Sequence, residues 1–365
     1  MKVLHVLNEL NPSGAEVMLL SAAPYFINKK IKSEILVTGT SLGIFSEKLN
    51  LVGYFIHHIP FEKKLIFFFR AYKLFSMEYD VIHLHVERGN FWLGLMARFA
   101  GVQVVIRTVH NNFNFIGNLR LRRSLQRKTL SIFGVKHIAI SESVQKNELK
   151  RFGIPTKLIS NWYDSDKFKK RTQNERLIAR EKLQIEEKTN VIVSIGNCSN
   201  VKNHIAIIEA LMIISVNKRP LYLHVGMEDH EHSERKLVTA LGLGDSVRFI
   251  GPLEDVRSVL HAADLFLMPS LYEGFGIAAT EAMAVGLPAL LTSVSGLVDF
   301  KNITSGAIYS EIDPKSIATA ITEFFMRDNF ELLEMQCNAA IAMESHFNIK
   351  KGVDLYCEVY RQEKY

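Results

Sequence analysis

Ala262-Ala263-Asp264-Leu265-Phe266-Leu267-Met268-Pro269-Ser270-Leu271-Tyr272-Glu273-Gly274-Phe275-Gly276-Ile277-Ala278-Ala279-Thr280-Glu281-Ala282 is the stretch on which the reading of this chain turns. The apolar run Leu265 to Met268 has the length and composition of a buried strand. The small residues from Ala278 to Ala284 read as a tightly packed helix. Glu273 then falls in the turn between strand and helix and Glu281 on the helix, with Gly274 and Gly276 between them. Carboxylates accept hydrogen bonds from hydroxyls, and the N–H groups of a helix start stabilise anions. Such a turn suits a ligand with sugar hydroxyls at both ends and a diphosphate in the middle, which is the chemistry of a nucleotide sugar.

Two plainer readings compete. Glutamates at this spacing arise often by chance and are then merely solvated. Gly274-x-Gly276-x-x-Ala279 also satisfies a relaxed dinucleotide fingerprint. That fingerprint needs its first glycine directly after the strand that opens the first βαβ unit. Here Pro269 to Glu273 intervene and the motif stands late in the chain, so a dinucleotide oxidoreductase is discounted.

Outward from this stretch, short apolar strands alternate with helical segments. Strands are expected at Lys2–Leu7, Ser33–Thr38, Tyr54–Ile59, Asp80–His85, Gln103–Val109, Lys136–Ile140 and Lys157–Ser160. Helices such as Ala15–Ile27, Leu65–Met77 and Asn90–Ala100 fall between them. A polar, charged segment without apolar period follows Asn161 to Arg171 and is read as a linker. A second series comprises Asn190–Ile195, Leu221–Val225, Ser246–Ile250, Asp264–Met268 and Pro288–Thr292. Strands that are apolar throughout belong to parallel sheets covered on both faces. The expectation is an α/β protein of two doubly wound domains facing across a cleft, with boundaries at 1–165 and 166–345. A chain of 365 residues suits that division.

Charge is uneven. Residues 1–165 carry a net +11 and residues 166–365 a net −5. A basic first half points to an anionic partner, whether nucleic acid, a phospholipid surface or a phosphate-bearing substrate. Cys198, Cys337 and Cys357 are widely spaced and fit no ligand pattern, which indicates a reducing, cytoplasmic setting. The run Met1–Leu7 is too short for a signal peptide, and no run of apolar residues is long enough to span a membrane. His224, His230 and His232, with Glu228 and Asp229, could be taken for a metal cluster but read better as a strand residue beside a solvated loop.

With these residues in view, the chain resembles glycosyltransferase family 4, retaining enzymes of GT-B architecture that include bacterial surface-polysaccharide enzymes. The string from Ala262 to Gly276, continued by Glu281-Ala282-Met283-Ala284-x-Gly286-x-Pro288, is close to that family's signature. Lys202-Asn203, Phe249-Ile250-Gly251, Ser295-Gly296 and, in the first half, Pro12-Ser13-Gly14-Ala15-Glu16 are further likenesses. The resemblance implies that Glu273 and the N–H groups around Gly274, Phe275 and Gly276 hold the donor sugar, and that Glu281 binds the ribose diol. It implies that Lys202 neutralises the leaving diphosphate, that Gly14 lets the chain approach the phosphates, and that His110 faces the sugar from a strand end. Catalytic roles would fall to His110, Lys202 and Glu273. No cofactor and no metal are implied.

The likeness has departures. The family commonly places an arginine where this chain has Asn197, which leaves charge compensation to Lys202 and helix ends. Its Gly-Asp-Gly-Pro stretch is replaced by Gly226-Met227-Glu228-Asp229. The donor expected is a UDP- or GDP-linked sugar, and the acceptor a glycan or polyprenyl-diphosphate-linked glycan. No nucleic-acid-binding module is visible. Lys63–Phe75 and Arg120–Lys128 combine basic residues with apolar ones. They fit peripheral contact with an anionic inner membrane face, or equally helices that cover a sheet. The C-terminal helix, about 346–365, is expected to pack back on the first domain. A nucleotide-sugar-binding subunit with little activity, and a GT-B-like epimerase or phosphorylase, remain as alternatives.

Overall fold

The structure is a computed structural model that describes residues 1–11 and 13–361. Pro12 of the Pro12–Glu16 family likeness and residues 362–365 of the expected C-terminal helix lie outside the described residues. The chain divides into two units, Met1–Trp162 together with the chain from Ile349 onward, and Tyr163–Asn348.

The first unit holds a seven-stranded sheet in the order β3-β2-β1-β4-β5-β6-β7. Its strands are β1 (Lys2–Leu7), β2 (Lys32–Val37), β3 (Phe55–His58), β4 (Val81–Leu84), β5 (Val104–Val109), β6 (Lys136–Ala139) and β7 (Lys157–Leu158). All pairings are parallel; Val6 of β1, for example, lies between Leu36 of β2 and Leu84 of β4. β4 and β5 are buried at every position, which explains why neither alternates apolar with polar residues; His83, Arg107 and Thr108 are buried within them. Helix Lys64–Phe75 lays Phe67, Ala71, Leu74 and Phe75 onto this core, and helix Asn90–Phe99 adds Leu93 and Ala97.

The second unit holds a six-stranded parallel sheet in the order β10-β9-β8-β11-β12-β13. Its strands are β8 (Val191–Ile195), β9 (Leu221–Val225), β10 (Val247–Gly251), β11 (Leu265–Met268), β12 (Ala289–Thr292) and β13 (Ala307–Ser310). Two doubly wound α/β units with parallel sheets result. β13 was not among the expected strands; its residues are mostly half-buried, so it lacks the apolar run that marks the others.

The expected linker is a correction. Gln173–Lys182 is a helix, closed at its start by a reciprocal cap between Thr172 and Glu175. It has little apolar face because guanidinium groups dock it. Arg180, 2% exposed, donates to the Ala262 carbonyl and to Asp264, while Arg176 donates to the other Asp264 oxygen at 2.9 Å. Arg171 donates to the carbonyls of Leu260, His261 and Ala263. Hydrophobic periodicity carries no signal for docking of this kind.

The helix Ile349–Arg361 belongs to the first unit, where Gly352 lies against the Trp162 ring. A Cβ at that position would sit 2.2 Å from Trp162 Cε3.

Candidate active site

In an open parallel sheet, ligands bind beyond the C-terminal strand ends where the strand order reverses. In the second unit that point lies between β8 and β11, which are hydrogen-bonded neighbours although the chain leaves them in opposite directions. The loop after β8 carries Asn197 and Lys202, and the loop after β11 carries Glu273. Sheet topology alone therefore brings Lys202 and Glu273 together across 71 residues of sequence, with Nζ 2.7 Å from Glu273 Oε2. The two loops are knitted by further bonds. Leu271 N–H donates to the Val201 carbonyl at 2.8 Å, and Asn203 Nδ2 donates to the Pro269 carbonyl at 3.1 Å. Asn203 takes a left-handed conformation, φ 55°, to start helix His204–Ile213.

The turn after β11 is shaped by two glycines. Gly276, φ 98°, opens helix Ile277–Ala284, and a Cβ there would lie 2.8 Å from Leu297 Cδ2. Gly296, φ 88°, lies against the backbone of the turn itself, and a Cβ would meet the Glu273 carbonyl oxygen at 2.4 Å. Gly296 thus seats the Glu273–Gly274 turn, a positioning role that sequence spacing could not show because 23 residues separate them. Phe275 is in the core, packed against Phe300 and Phe347, so only its backbone can face a ligand. Glu273 itself accepts from Gly274 N–H at 3.3 Å through Oε1, leaving a fixed carboxylate beside a fixed ammonium.

Glu281 lies on the helix that follows. Burial raises its carboxyl to about 7; Lys167 lowers it and Asp164 raises it further. It is poised between neutral and charged near neutral pH. Asn197, exposed, uses its Oδ1 to accept Met227 N–H at 2.9 Å, so the donors left for a ligand are its Nδ2 hydrogens. It supplies no cation and instead ties the β8 and β9 loops together. Glu228 pairs with His232 at 3.2 Å and with Arg235, which reaches both Glu228 oxygens. His224 is a buried residue of β9 beside Cys198.

In the first unit the strand order reverses between β1 and β4. Gly14 opens the helix Gly14–Asn28 that follows β1, and His110 is the first residue after β5. His110 Nε2 meets His85 Nδ1 at 3.0 Å, and His85 Nε2 meets His5 Nδ1 at 3.1 Å, a row of three imidazoles below the strand ends. Burial, reinforced by Arg107, depresses His110 to about 4, so the ring is neutral at ordinary pH and acts as a hydrogen-bonding group. Ala15, next to Gly14, lines the same small cavity as His110 and His85. Sequence reading found His110 but not the row behind it. Arg127, expected as part of a surface basic stretch, is buried: it and Arg107 share Glu87 and Glu148 at 2.8–3.0 Å.

Two parallel α/β units, each with polar residues gathered at its switch point, define a glycosyltransferase of GT-B architecture. The family described as "Glycosyltransferase Family 4" matches residues 12–167, and "Glycosyl transferases group 1" matches residues 175–343. Together the two models span most of the chain, which therefore carries a domain of each of these glycosyltransferase families. Among curated relatives, the Escherichia coli UDP-Gal:alpha-D-GlcNAc-diphosphoundecaprenol alpha-1,3-galactosyltransferase is 29% identical over 79% of this chain and 77% of its own length. Among solved structures, a glycosyltransferase from Rickettsia africae superposes with a TM-score of 0.85 over 100% of this chain and 99% of that one, at 18% identity. Anabaena Alr3699/HepE, solved in complex with UDP and glucose, gives 0.81 at 19% identity, covering 98% of each chain.

Proposed function

We propose that the protein is a retaining glycosyltransferase that moves a hexose from a UDP-linked donor to a hydroxyl of a polyprenyl-diphosphate-linked or other glycan acceptor, with no catalytic divalent ion. The observation that carries this reading is the Lys202–Glu273 pair at the β8/β11 switch point, with Glu281 on the helix that follows. The E. coli relative, whose name gives UDP-galactose as donor and a lipid diphosphate as acceptor, supports UDP over GDP and a lipid-linked acceptor.

Breaking the sugar–phosphate bond leaves charge on the diphosphate, and the site must stabilise it where it develops. Lys202 exchanges part of its contact with Glu273 for that charge, helped by the helix start after Gly276. Glu273 then accepts hydroxyl hydrogens from the sugar, while Glu281 takes the ribose diol. Asn197 contributes dipoles only. Because Glu273 is committed to Lys202 and to Gly274 N–H, it is ill placed to act as a covalent nucleophile. The acceptor oxygen instead attacks on the face the phosphate leaves. The C1–phosphate oxygen bond breaks as the C1–acceptor bond forms, and the acceptor proton passes to the leaving phosphate oxygen. At the first unit's own switch point, neutral His110 offers a hydrogen-bonding group for sugar hydroxyls and Gly14 a backbone without a Cβ for phosphates.

The acceptor side is assigned to the basic first unit. Helix Lys64–Phe75 packs one face on the sheet and exposes the other, with Leu65 at 88% and Phe69 at 71% beside Arg70 and Lys73. Helix Gly117–Ile132 likewise exposes Leu121 and Leu125 among Arg120, Arg122 and Lys128. These surfaces suit peripheral contact with an anionic membrane face on the cytoplasmic side. Among the described residues no helix is long and apolar enough to cross a membrane. The test is a panel of nucleotide sugars scored by thermal shift and by hydrolysis. Stabilisation with slow turnover by one of them supports a transferase. Stabilisation without turnover, even with candidate acceptors present, would make the protein a binding subunit.

A further inference from the structure

Behind the loop that carries Lys202 lies a second polar group that the donor site does not use. Cys198 follows β8, His204 opens helix His204–Ile213, and His224 belongs to β9; all three are buried. One ligating atom from each falls within 4.8 Å of the other two. Cys198 Sγ is 3.3 Å from His224 Nε2, and the two imidazole centroids are 4.6 Å apart.

Two atoms here lack partners. His204 Nδ1 and Glu234 Oε2 are buried with no hydrogen bond, a rare condition for polar atoms in a folded interior. Glu234 is 4% exposed on helix Ser233–Ala240, has no ion pair among the described residues, and, with burial the larger cause, is close enough to Cys198 to raise its thiol. A buried carboxylate with no counter-charge is costly. By contrast, the other cluster of histidines, in the first unit, is largely satisfied: both nitrogens of His83 and of His85 have partners.

We propose that Cys198, His204 and His224 form a structural zinc site in the second unit, which the Glu234 carboxylate, near Cys198 but outside the group of three as it stands, completes by turning in. Zinc takes thiolate and imidazole ligands at about 2.3 Å and 2.0–2.1 Å, so tetrahedral S–N edges come to about 3.5 Å. The 3.3 Å between Cys198 Sγ and His224 Nε2 is close to that edge. Thiolate and carboxylate together balance the dication, which leaves a neutral buried site, and binding expels the thiol proton. Sulfur and nitrogen ligands select zinc over magnesium. The far side of His224 is already fixed, since its Nδ1 faces the hydroxyls of Tyr222 at 3.3 Å and Ser194 at 3.4 Å, the outer partners that orient a metal-binding imidazole. Cys198 and His204 bracket Lys202, so the metal closes the loop that presents this lysine. That consequence, unlike the site itself, rests on the function proposed for Lys202.

The test begins with elemental analysis of full-length protein purified without chelator. About one zinc per chain is expected. Metal-free wild-type protein titrated with Co2+ should develop a thiolate-to-cobalt absorption band. That band should be absent from Cys198→Ser, and zinc should raise the melting temperature of wild type but not of the variant. If Cys198→Ser fails to fold, the titrations of metal-free wild type decide alone. No zinc in the purified protein and no cobalt band on metal-free wild type would overturn the site. UDP-glucose binding is read separately in both preparations. Zinc bound without UDP-glucose binding sinks only the functional reading, and UDP-glucose binding without zinc sinks only the metal site.

Discussion

Lys202 Nζ and Glu273 Oε2 stand 2.7 Å apart at the point where the second sheet reverses its strand order. Each holds the other in place and neutralises it, and in the proposed reaction a diphosphate sugar enters between two charges that are already oriented. Lys202→Ala should lower the transfer rate by up to roughly a hundredfold to a thousandfold, the range seen when one electrostatic donor is lost from a site. Glu273→Gln should lower turnover more than donor affinity. Because the two touch, the double variant should lose less than the sum of the single losses. Strict additivity in steady-state kinetics would mean the pair does not act as a unit.

Glu281 gives a pH dependence with a definite sign. Its folded value, about 7, lies above the ordinary carboxyl range, so the native state holds the proton more tightly than the unfolded chain. Its contribution to stability is complete below the usual carboxyl value, about 4.3, and is lost as pH rises through about 7. In the proposed role, a ribose diol supplies two donors to the carboxylate and reverses the preference. UDP-glucose affinity, measured calorimetrically, should therefore rise from pH 6 to pH 8 with proton release. Glu281→Gln should flatten the profile, and Glu281→Ala should cost roughly 1.5–3 kcal/mol of binding. A flat wild-type profile would contradict the assignment.

Gly296→Ala tests the seat of the Glu273 turn. The new Cβ would press on the Glu273 carbonyl at 2.4 Å, from a backbone with φ 88°. The expected outcome is a loss on the order of 1–3 kcal/mol of stability, together with weakened UDP-glucose binding, although the residue need not touch the ligand. A loss of melting temperature with binding unchanged would separate Gly296 from the site.

Transfer should not depend on an exchangeable divalent ion, since Lys202 and helix ends supply the positive charge. Brief EDTA treatment, followed by addition of Mg2+ or Mn2+, should leave the rate unchanged. A rate restored only by those ions would refute metal-independent chemistry.

If the exposed faces of helices Lys64–Phe75 and Gly117–Ile132 dock on a membrane, the protein should co-sediment with vesicles of acidic lipid and not with neutral ones. Each basic residue contributes about 1 kcal/mol near such a surface. The effect decays over a Debye length of about 8 Å at physiological salt, so binding should fall as salt rises. Arg120→Glu with Arg122→Glu should weaken it without unfolding, because both side chains are exposed. Arg127, buried between Glu87 and Glu148, is not part of that surface, and its reversal should unfold the protein. Binding indifferent to lipid charge and salt would return both helices to a purely structural role.

What the sequence by itself determined was local. Runs such as Val104–Val109 and Leu265–Met268 announce covered parallel strands because both of their faces are buried. The ordered string through Glu273, Gly276 and Glu281 announces a strand, a glycine-bearing turn and a helix in consecutive residues. Where order came from polar docking, as in the Arg180–Asp264 contact, hydrophobic period was silent and a helix passed for a linker. Only the tertiary structure decided which distant residues meet. Parallel pairing of β8 with β11 sets Lys202 against Glu273, β8 with β9 sets Cys198 against His224, and the row His5–His85–His110 crosses β1, β4 and β5. In a parallel sheet, neighbouring strand ends lie about 4.8 Å apart however far apart they are in sequence. The chemistry of a strand-end loop therefore depends on strand order, which the spacing of residues along the chain does not contain.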